Sequence, residues 1–305
     1  MNASLRKIVT DVVRDRWLYV IALPGLAFFV LFKYLPMGGV VIAFQDYHPF
    51  TGFVGSPWTG LKHFVRLFGD PDFMMLLRNT LLLSLYNIAL GFPAPILLAL
   101  MLNELRRQWF KRSIQTLIYV PHFMSWVVVV SMFFVIFESQ DGAFQNLIAA
   151  WGFDKFTFMM DDGWFRPMYI LQVIWRDTGW GTIIYLAALA GIGPELYEAA
   201  RMDGASRMRQ IWHITLPGIR GTIIILLLLR LSDVLDLSFE HVYVLLNALN
   251  RDVGEVFDTY VYRVGLINGQ LSYATAVGLF KGAVGLALVT IANGLAKRFG
   301  EEGIF

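Results

Sequence analysis

The apolar positions of this chain neither alternate nor mark one face of a helix; they run together. A helix needs about 20 mostly apolar residues to cross a hydrocarbon core about 30 Å thick. Six stretches meet that requirement, at residues 17–44, 76–102, 114–137, 168–190, 216–239 and 274–296. The first carries Pro24, Lys33 and Pro36 and is expected to kink or to end near Tyr34. The second is interrupted by Gly91, Pro93 and Pro95. The third, centred on Val127–Val130, and the fifth, holding Leu226–Leu229, read as plain spans. The sixth is rich in Gly and Ala. The predicted fold is all-α, a bundle of six transmembrane helices.

Composition agrees. Of 305 residues, 57% are hydrophobic and 16% charged, and mean hydropathy is +0.58. Soluble domains are nearer 45–50% apolar and about 25% charged, so a water-soluble globule is excluded. Disorder needs low hydrophobicity and high net charge. A net charge of +2 gives no basis for binding nucleic acid. The chain has no Cys, so disulfides, thiol catalysis and Cys-ligated metal are out. Arg6, Lys7, Arg14 and Arg16 form a positive leader. The apolar run behind it is too long for a signal peptide and lacks an A-x-A-like site, so it reads as an uncleaved first span.

Lys and Arg near the span ends set orientation. Arg6, Lys7, Arg14, Arg16, Arg106, Arg107, Lys111, Arg112, Arg201, Arg207, Arg209, Arg220, Lys297 and Arg298 fall on one side. The longer loops opposite hold only Lys62, Arg66, Lys155, Arg166, Arg251 and Arg263. The first set is expected in the cytoplasm with both termini, as an even number of spans requires. This divides the chain into a cytoplasmic segment 1–16, a membrane domain 17–296 and a cytoplasmic tail 297–305. Trp58, Phe64, Phe68, Trp151, Phe153 and Trp164 in the outer loops suit an interfacial aromatic belt or the docking of an outside partner.

The cytoplasmic loop between the fourth and fifth spans holds the most information. Pro194 suits the first position of a helix, and Glu195 and Glu198 favour the positive end of its dipole. Leu196, Ala199 and Ala200 form a small apolar stripe. Gly204 can end the helix in a left-handed conformation. A second short helix follows through Met208 and Trp212, and Pro217 stands where the fifth span begins. On these features alone the segment could be an ordinary amphipathic interfacial helix, or a surface that another protein approaches closely.

Glu198-Ala199-Ala200, Asp203-Gly204-Ala205 and Ile214, Leu216 and Pro217 match at every fixed position the EAA motif of ABC importer permeases. Leu31–Met37, Phe44–Tyr47, Arg78-Asn79-Thr80, Tyr119–His122 and Gly179–Tyr185 resemble the LplB-type branch of carbohydrate ABC permeases. The resemblance covers most of the chain. It implies a MetI-like bundle in the bacterial inner membrane that moves an oligosaccharide inward, including complex or acidic plant and algal sugars. It implies a second, homologous permease, a pair of cytoplasmic ATPases carrying ATP and Mg, and an extracytoplasmic solute-binding protein. It makes the segment 194–217 a coupling helix region, with Glu198, Ala199, Ala200, Asp203, Gly204, Ala205 and Pro217 serving the ATPase contact.

Ionisable residues within spans are expensive and face a cavity or one another. Lys33, Arg176, Asp177, Arg230, Asp233, Asp236 and Lys281 are the candidates. Arg230 and Asp233, three apart on a helix, can pair on one face, whereas adjacent Arg176 and Asp177 are expected to point apart. Lys33 and Lys281 are expected to pack or to snorkel. Trp175, Arg176, Asp177, Trp180, Tyr185, Arg230 and Asp233 are the candidate substrate path, aromatic faces for sugar rings with polar groups to orient them. The competing reading of the charges is ion pairing that fixes helix packing.

The five His show no metal spacing. There is no G-x-S-x-G elbow and no phosphate loop, so the chain is expected to bind no cofactor and to catalyse no covalent chemistry. Gly278 to Gly285 read as small-residue helix packing. A secondary transporter would show matching halves, and a membrane enzyme a convergent catalytic set. Neither is visible. Within the permease class, a non-sugar solute is the alternative.

Overall fold

The computed structural model describes residues 14–137, 142–152, 154, 158–159, 161–232 and 234–298. Arg6, Lys7, Phe153, Lys155 and Asp233 lie outside them. Helix α1 spans Arg16–Phe44, and the connection after it carries a short α2, Lys62–Phe68. Helix α3, Phe73–Asn103, returns to the other side. Three bent pairs follow: α4 Gln108–Phe123 with α5 Trp126–Phe137, α7 Asp162–Ala190 with α8 Pro194–Met202, and α9 Arg207–Gly218 with α10 Arg220–Ser232. The short α6, Ala143–Ala150, lies between α5 and α7. After α10 come α11, Phe239–Leu245, and α12, Phe257–Val261, which runs on as Tyr262–Ile267; α13, Leu271–Arg298, closes the chain.

Among the described residues three helices are long and apolar enough to cross a membrane, and six if each bent pair is one span. The expected third span does not run straight. Its helix breaks between Phe123 and Trp126 with a bend of 106°, just after Pro121, which cannot continue the backbone ladder. The valine run at 127–130 hides that break from any hydropathy window. The expected fifth span is helical to Ser232, and residues 234–238, before α11, are non-helical.

The first span neither ends at Tyr34 nor loses its helix there. A π turn at Val30–Tyr34 carries it to Pro36. The same device recurs at Asn87–Gly91 before Pro93 and at Ile211–Thr215 before Pro217. A proline ring collides with the carbonyl four residues back, and the wider π turn moves that carbonyl aside.

Within lipid, apolar side chains gain little by leaving one another's company, so close packing and polar contacts hold helices together. Helix α7 packs along the 93–103 half of α3. Gly179 lets the backbone of α4 cross it, because a Cβ there would lie 2.0 Å from the Ile118 carbonyl oxygen. Asn79 stitches α3 to α7 and to the 252–255 segment: its Nδ2 donates to the carbonyls of Asp252 (3.0 Å) and Glu255 (3.1 Å), and its Oδ1 accepts from Arg166 (3.1 Å). Arg263 grips Glu255 with two bonds of 2.8 Å. In the connection between α1 and α3, burial pushes the Asp70 carboxyl up in pKa. Hydrogen bonds from Tyr260 and Tyr273, each 2.7 Å, and from the Asp72 N–H outweigh that and hold it below the usual range.

A Cβ added at Gly278, Gly282 or Gly285 would meet nothing within 4 Å. One expectation about side chains needs correction. Arg176 and Asp177 do not point apart: Nη1 of the arginine lies 2.9 Å from the Asp177 Oδ1, because the long arginine stem spans the turn between neighbours. Lys281 packs as expected, bonded to Asp236 and, at 2.6 Å, to Asp258.

Candidate functional site

A cavity of about 570 Å³ opens between α3, α4, α7, α10 and α11, within the roughly 300–1,000 Å³ of small-molecule sites. It lies where three helices are irregular. Asn87 and Gly91 bound the π turn of α3, His122 and Trp126 flank the break between α4 and α5, and Val234–Ser238 form the non-helical stretch after α10. Irregular backbone at membrane depth is tolerated where it is buried in protein or lines a cavity. Its concentration around one space makes that space the candidate site.

The walls are built from stacked rings. Arg176 lies over Trp126 at 4.4 Å, Trp126 stacks on His241 at 3.7 Å, and His241 stacks on Tyr169 at 4.6 Å. His241 Nε2 meets Gln172 Oε1 at 2.7 Å, and Asn87 Nδ2 donates to the Tyr169 hydroxyl at 2.8 Å. This column ties α3, α5, α7 and α11 into one wall. Beside the Arg176 end of the column, His122 and Trp180 are face to face at 4.7 Å, with His122 Nδ1 3.1 Å from the Asp177 Oδ1 that also accepts from Arg176. Asn87 Oδ1, Thr178 Oγ1 and His241 Nδ1 have no hydrogen-bond partner among the described residues, although each residue lines the cavity. Buried polar atoms without partners are rare in native proteins, and hydroxyl-rich solutes supply both donors and acceptors.

Of the substrate-path residues named from sequence, Arg176, Asp177, Trp180, Tyr185 and Arg230 line this cavity. Trp175 does not; it packs edge-on against Phe133. Asp233 lies outside the described residues. Sequence reasoning passed over Asn87, Trp126, Tyr169 and His241. His122 and His241 looked scattered because only the fold brings them to one space, and Pro121 was the one local signal of a break beside His122.

The segment 194–217 forms a second feature. Gly204 has φ +73°. The N–H of Ala205 reaches the Ala200 carbonyl at 2.8 Å and that of Gly204 the Arg201 carbonyl at 3.1 Å, the Schellman ending of a helix. Ser206 caps α9, and Gln210 Nε2 donates to the Ala205 carbonyl at 2.9 Å. Tyr197 and Thr215 hydroxyls meet at 3.0 Å. Helix α8 is thus held as a rigid unit bent 70° from α7, with Glu198, Ala199, Asp203 and Gly204 exposed and Ala200 half-buried.

Residues 91–301 match the family described as "Binding-protein-dependent transport system inner membrane component". The polygalacturonan/rhamnogalacturonan transport system permease protein YteP of Bacillus subtilis (strain 168) is 59% identical over 98% of this chain and 94% of its own length. Protein LplB of the same organism is 54% identical over 96% of this chain and 92% of its own. A chain in the crystal structure of a bacterial alginate ABC transporter, in complex with alginate pentasaccharide-bound periplasmic protein, superposes with a TM-score of 0.89. That chain is 38% identical over 97% of this chain and 99% of its own.

Proposed function

The chain belongs to the binding-protein-dependent inner-membrane transport family, and from that premise we propose that it carries an acidic oligosaccharide, of the pectin or alginate kind, into the cytoplasm. As a member it is the multi-pass inner-membrane permease of an ABC transporter, not a catalytic subunit, and ATP is hydrolysed on partner ATPases. The membrane domain 17–296 forms the path with a second, homologous permease, and an extracytoplasmic binding protein delivers the sugar. Both termini lie in the cytoplasm, where the basic loop residues concentrate.

The observation that carries this reading is the cavity, where three interrupted helices meet around stacked rings and partnerless polar atoms. Sugar rings have apolar faces that suit Trp180 and hydroxyl edges that suit Asn87, Thr178 and His241. The exposed α8, with Glu198, Ala199, Ala200, Asp203, Gly204 and Ala205, is the contact with an ATPase that binds ATP and Mg. Pro217 positions the start of α10. Closure of the ATPases on ATP moves α8, and the rigid α8–α9 unit passes that movement to α7 and α10, which line the cavity. Alternating exposure of a midplane site follows the general logic of transporters.

The test is reconstitution of the permease pair, ATPases and binding protein in vesicles, with labelled tetragalacturonate outside and ATP within. ATP-dependent accumulation is expected. Accumulation without ATP or ATPases would overturn the coupling of α8 to hydrolysis, and failure with every acidic oligosaccharide that the binding protein binds would overturn the substrate class.

A further inference from the structure

The two arginines of the cavity differ in how much of their charge is already used. Arg176 has its Nε bonded to the Met124 carbonyl at 3.0 Å, its Nη1 to Asp177 at 2.9 Å and its plane over Trp126. Its side chain is 17% exposed. It joins the broken ends of α4 and α5 to α7, and its counter-charge is at hand. Arg230 lines the same cavity from α10 and is exposed there. No described residue forms an ion pair or hydrogen bond with its guanidinium. Among the described residues the cavity's other carboxylate, Asp236, is bonded to Lys281; Asp233, three positions after Arg230, lies outside them.

We propose that Arg230 is the residue by which this cavity reads the charge of its solute, pairing with a carboxylate of an acidic sugar unit, while Arg176 is a positioning residue that holds the cavity wall. An ionisable residue at membrane depth ordinarily pairs or faces a water-filled path. A guanidinium presents a planar fork that matches a carboxylate with two parallel bonds. The exposed face of Trp180 offers apolar surface in the same cavity for the ring that bears the carboxylate. The assignment rests on the importer reading above and adds to it the residue that sets anionic preference.

The experiment uses the complete transporter in vesicles with ATP and its binding protein, carrying wild type, Arg230→Gln, Arg230→Lys or Arg176→Gln. The probes are tetragalacturonate and its carboxyl-reduced, neutral tetramer. Each variant's rate is divided by the wild-type rate on the same probe, so the binding protein's own preference cancels. Arg230→Gln is expected to lower the acidic rate about tenfold or more, the worth of a hydrogen bond to a charged group, and the neutral rate far less. Arg230→Lys recovers part of the acidic rate. Arg176→Gln lowers both rates alike, together with the melting temperature of the complex. Equal loss on both probes in Arg230→Gln, or no loss on either, overturns the assignment. If the wild type moves neither probe, the importer reading falls and takes this assignment with it.

Discussion

His122 and Trp180 lie face to face, ring centroids 4.7 Å apart and planes 4° from parallel. Asp177, one turn before Trp180 on α7, takes the other side of the histidine through Nδ1 at 3.1 Å. Two residues on one helical face thereby hold the last turn of α4 just before its break. Trp180 keeps 46% of its surface open, so the pair presents a fixed aromatic platform to the cavity.

Trp180→Ala removes that platform and leaves Asp177 in place. An aromatic contact is worth about 0.5–1.5 kcal/mol beyond burial. Uptake is therefore expected to need roughly two- to twelvefold more loaded binding protein to reach half-maximal rate, with the complex assembling normally. Rates measured against loaded binding protein test it; an unchanged half-saturation would remove Trp180 from the path.

The coupling proposal turns on Gly204. Its φ of +73° is a conformation that costs an ordinary side chain about 1–2 kcal/mol, although a Cβ there meets nothing within 4 Å. Gly204→Ala should therefore fray the end of α8 with little effect on insertion. Gly204→Trp adds bulk on the exposed surface where the ATPase is proposed to sit. ATP hydrolysis that continues while uptake falls is the expected signature, read from both rates in one vesicle preparation. Normal uptake by Gly204→Trp at normal expression would sink the coupling role of α8.

How much of this was legible beforehand depended on how local each feature is. The six apolar runs and the Gly204 helix ending are written within single windows, because span length and left-handed backbone are local requirements. The 106° break beside Trp126 was masked by the valines that follow it. The stack from Arg176 through Trp126 and His241 to Tyr169 depends on helices far apart in the chain, so no spacing rule announces it. The Arg176–Asp177 pair was misread because helical position fixes where Cβ points, not where a long side chain ends.

Gly179→Ala tests the crossing of α4 over α7. The added carbon would sit 2.0 Å from the Ile118 oxygen, a backbone atom that cannot rotate away. Overpacking of this kind costs about 1–3 kcal/mol, and a lower melting temperature of the purified complex is expected. Because Ile118 lies one turn before His122, uptake per assembled complex should fall as well. A melting temperature equal to wild type would mean that α4 slides freely on α7.

Lys281 offers a test of how the cavity wall is anchored. It joins Asp236, in the non-helical stretch that lines the cavity, to Asp258 on α12, while its own side chain is only 12% exposed. Breaking a buried ion pair from one side costs about 3–5 kcal/mol, because a charge is left without a partner. Lys281→Met should lower the melting temperature and loosen the 234–238 wall. Adding Asp258→Asn removes the more buried of the two carboxylates left behind and should restore part of the loss. A double-mutant cycle measures that coupling. If the two losses simply add, Lys281 and Asp258 do not act as a pair, and the wall is held by the bond of Lys281 to Asp236 and by the Ser84 hydroxyl, which donates to the Val234 carbonyl.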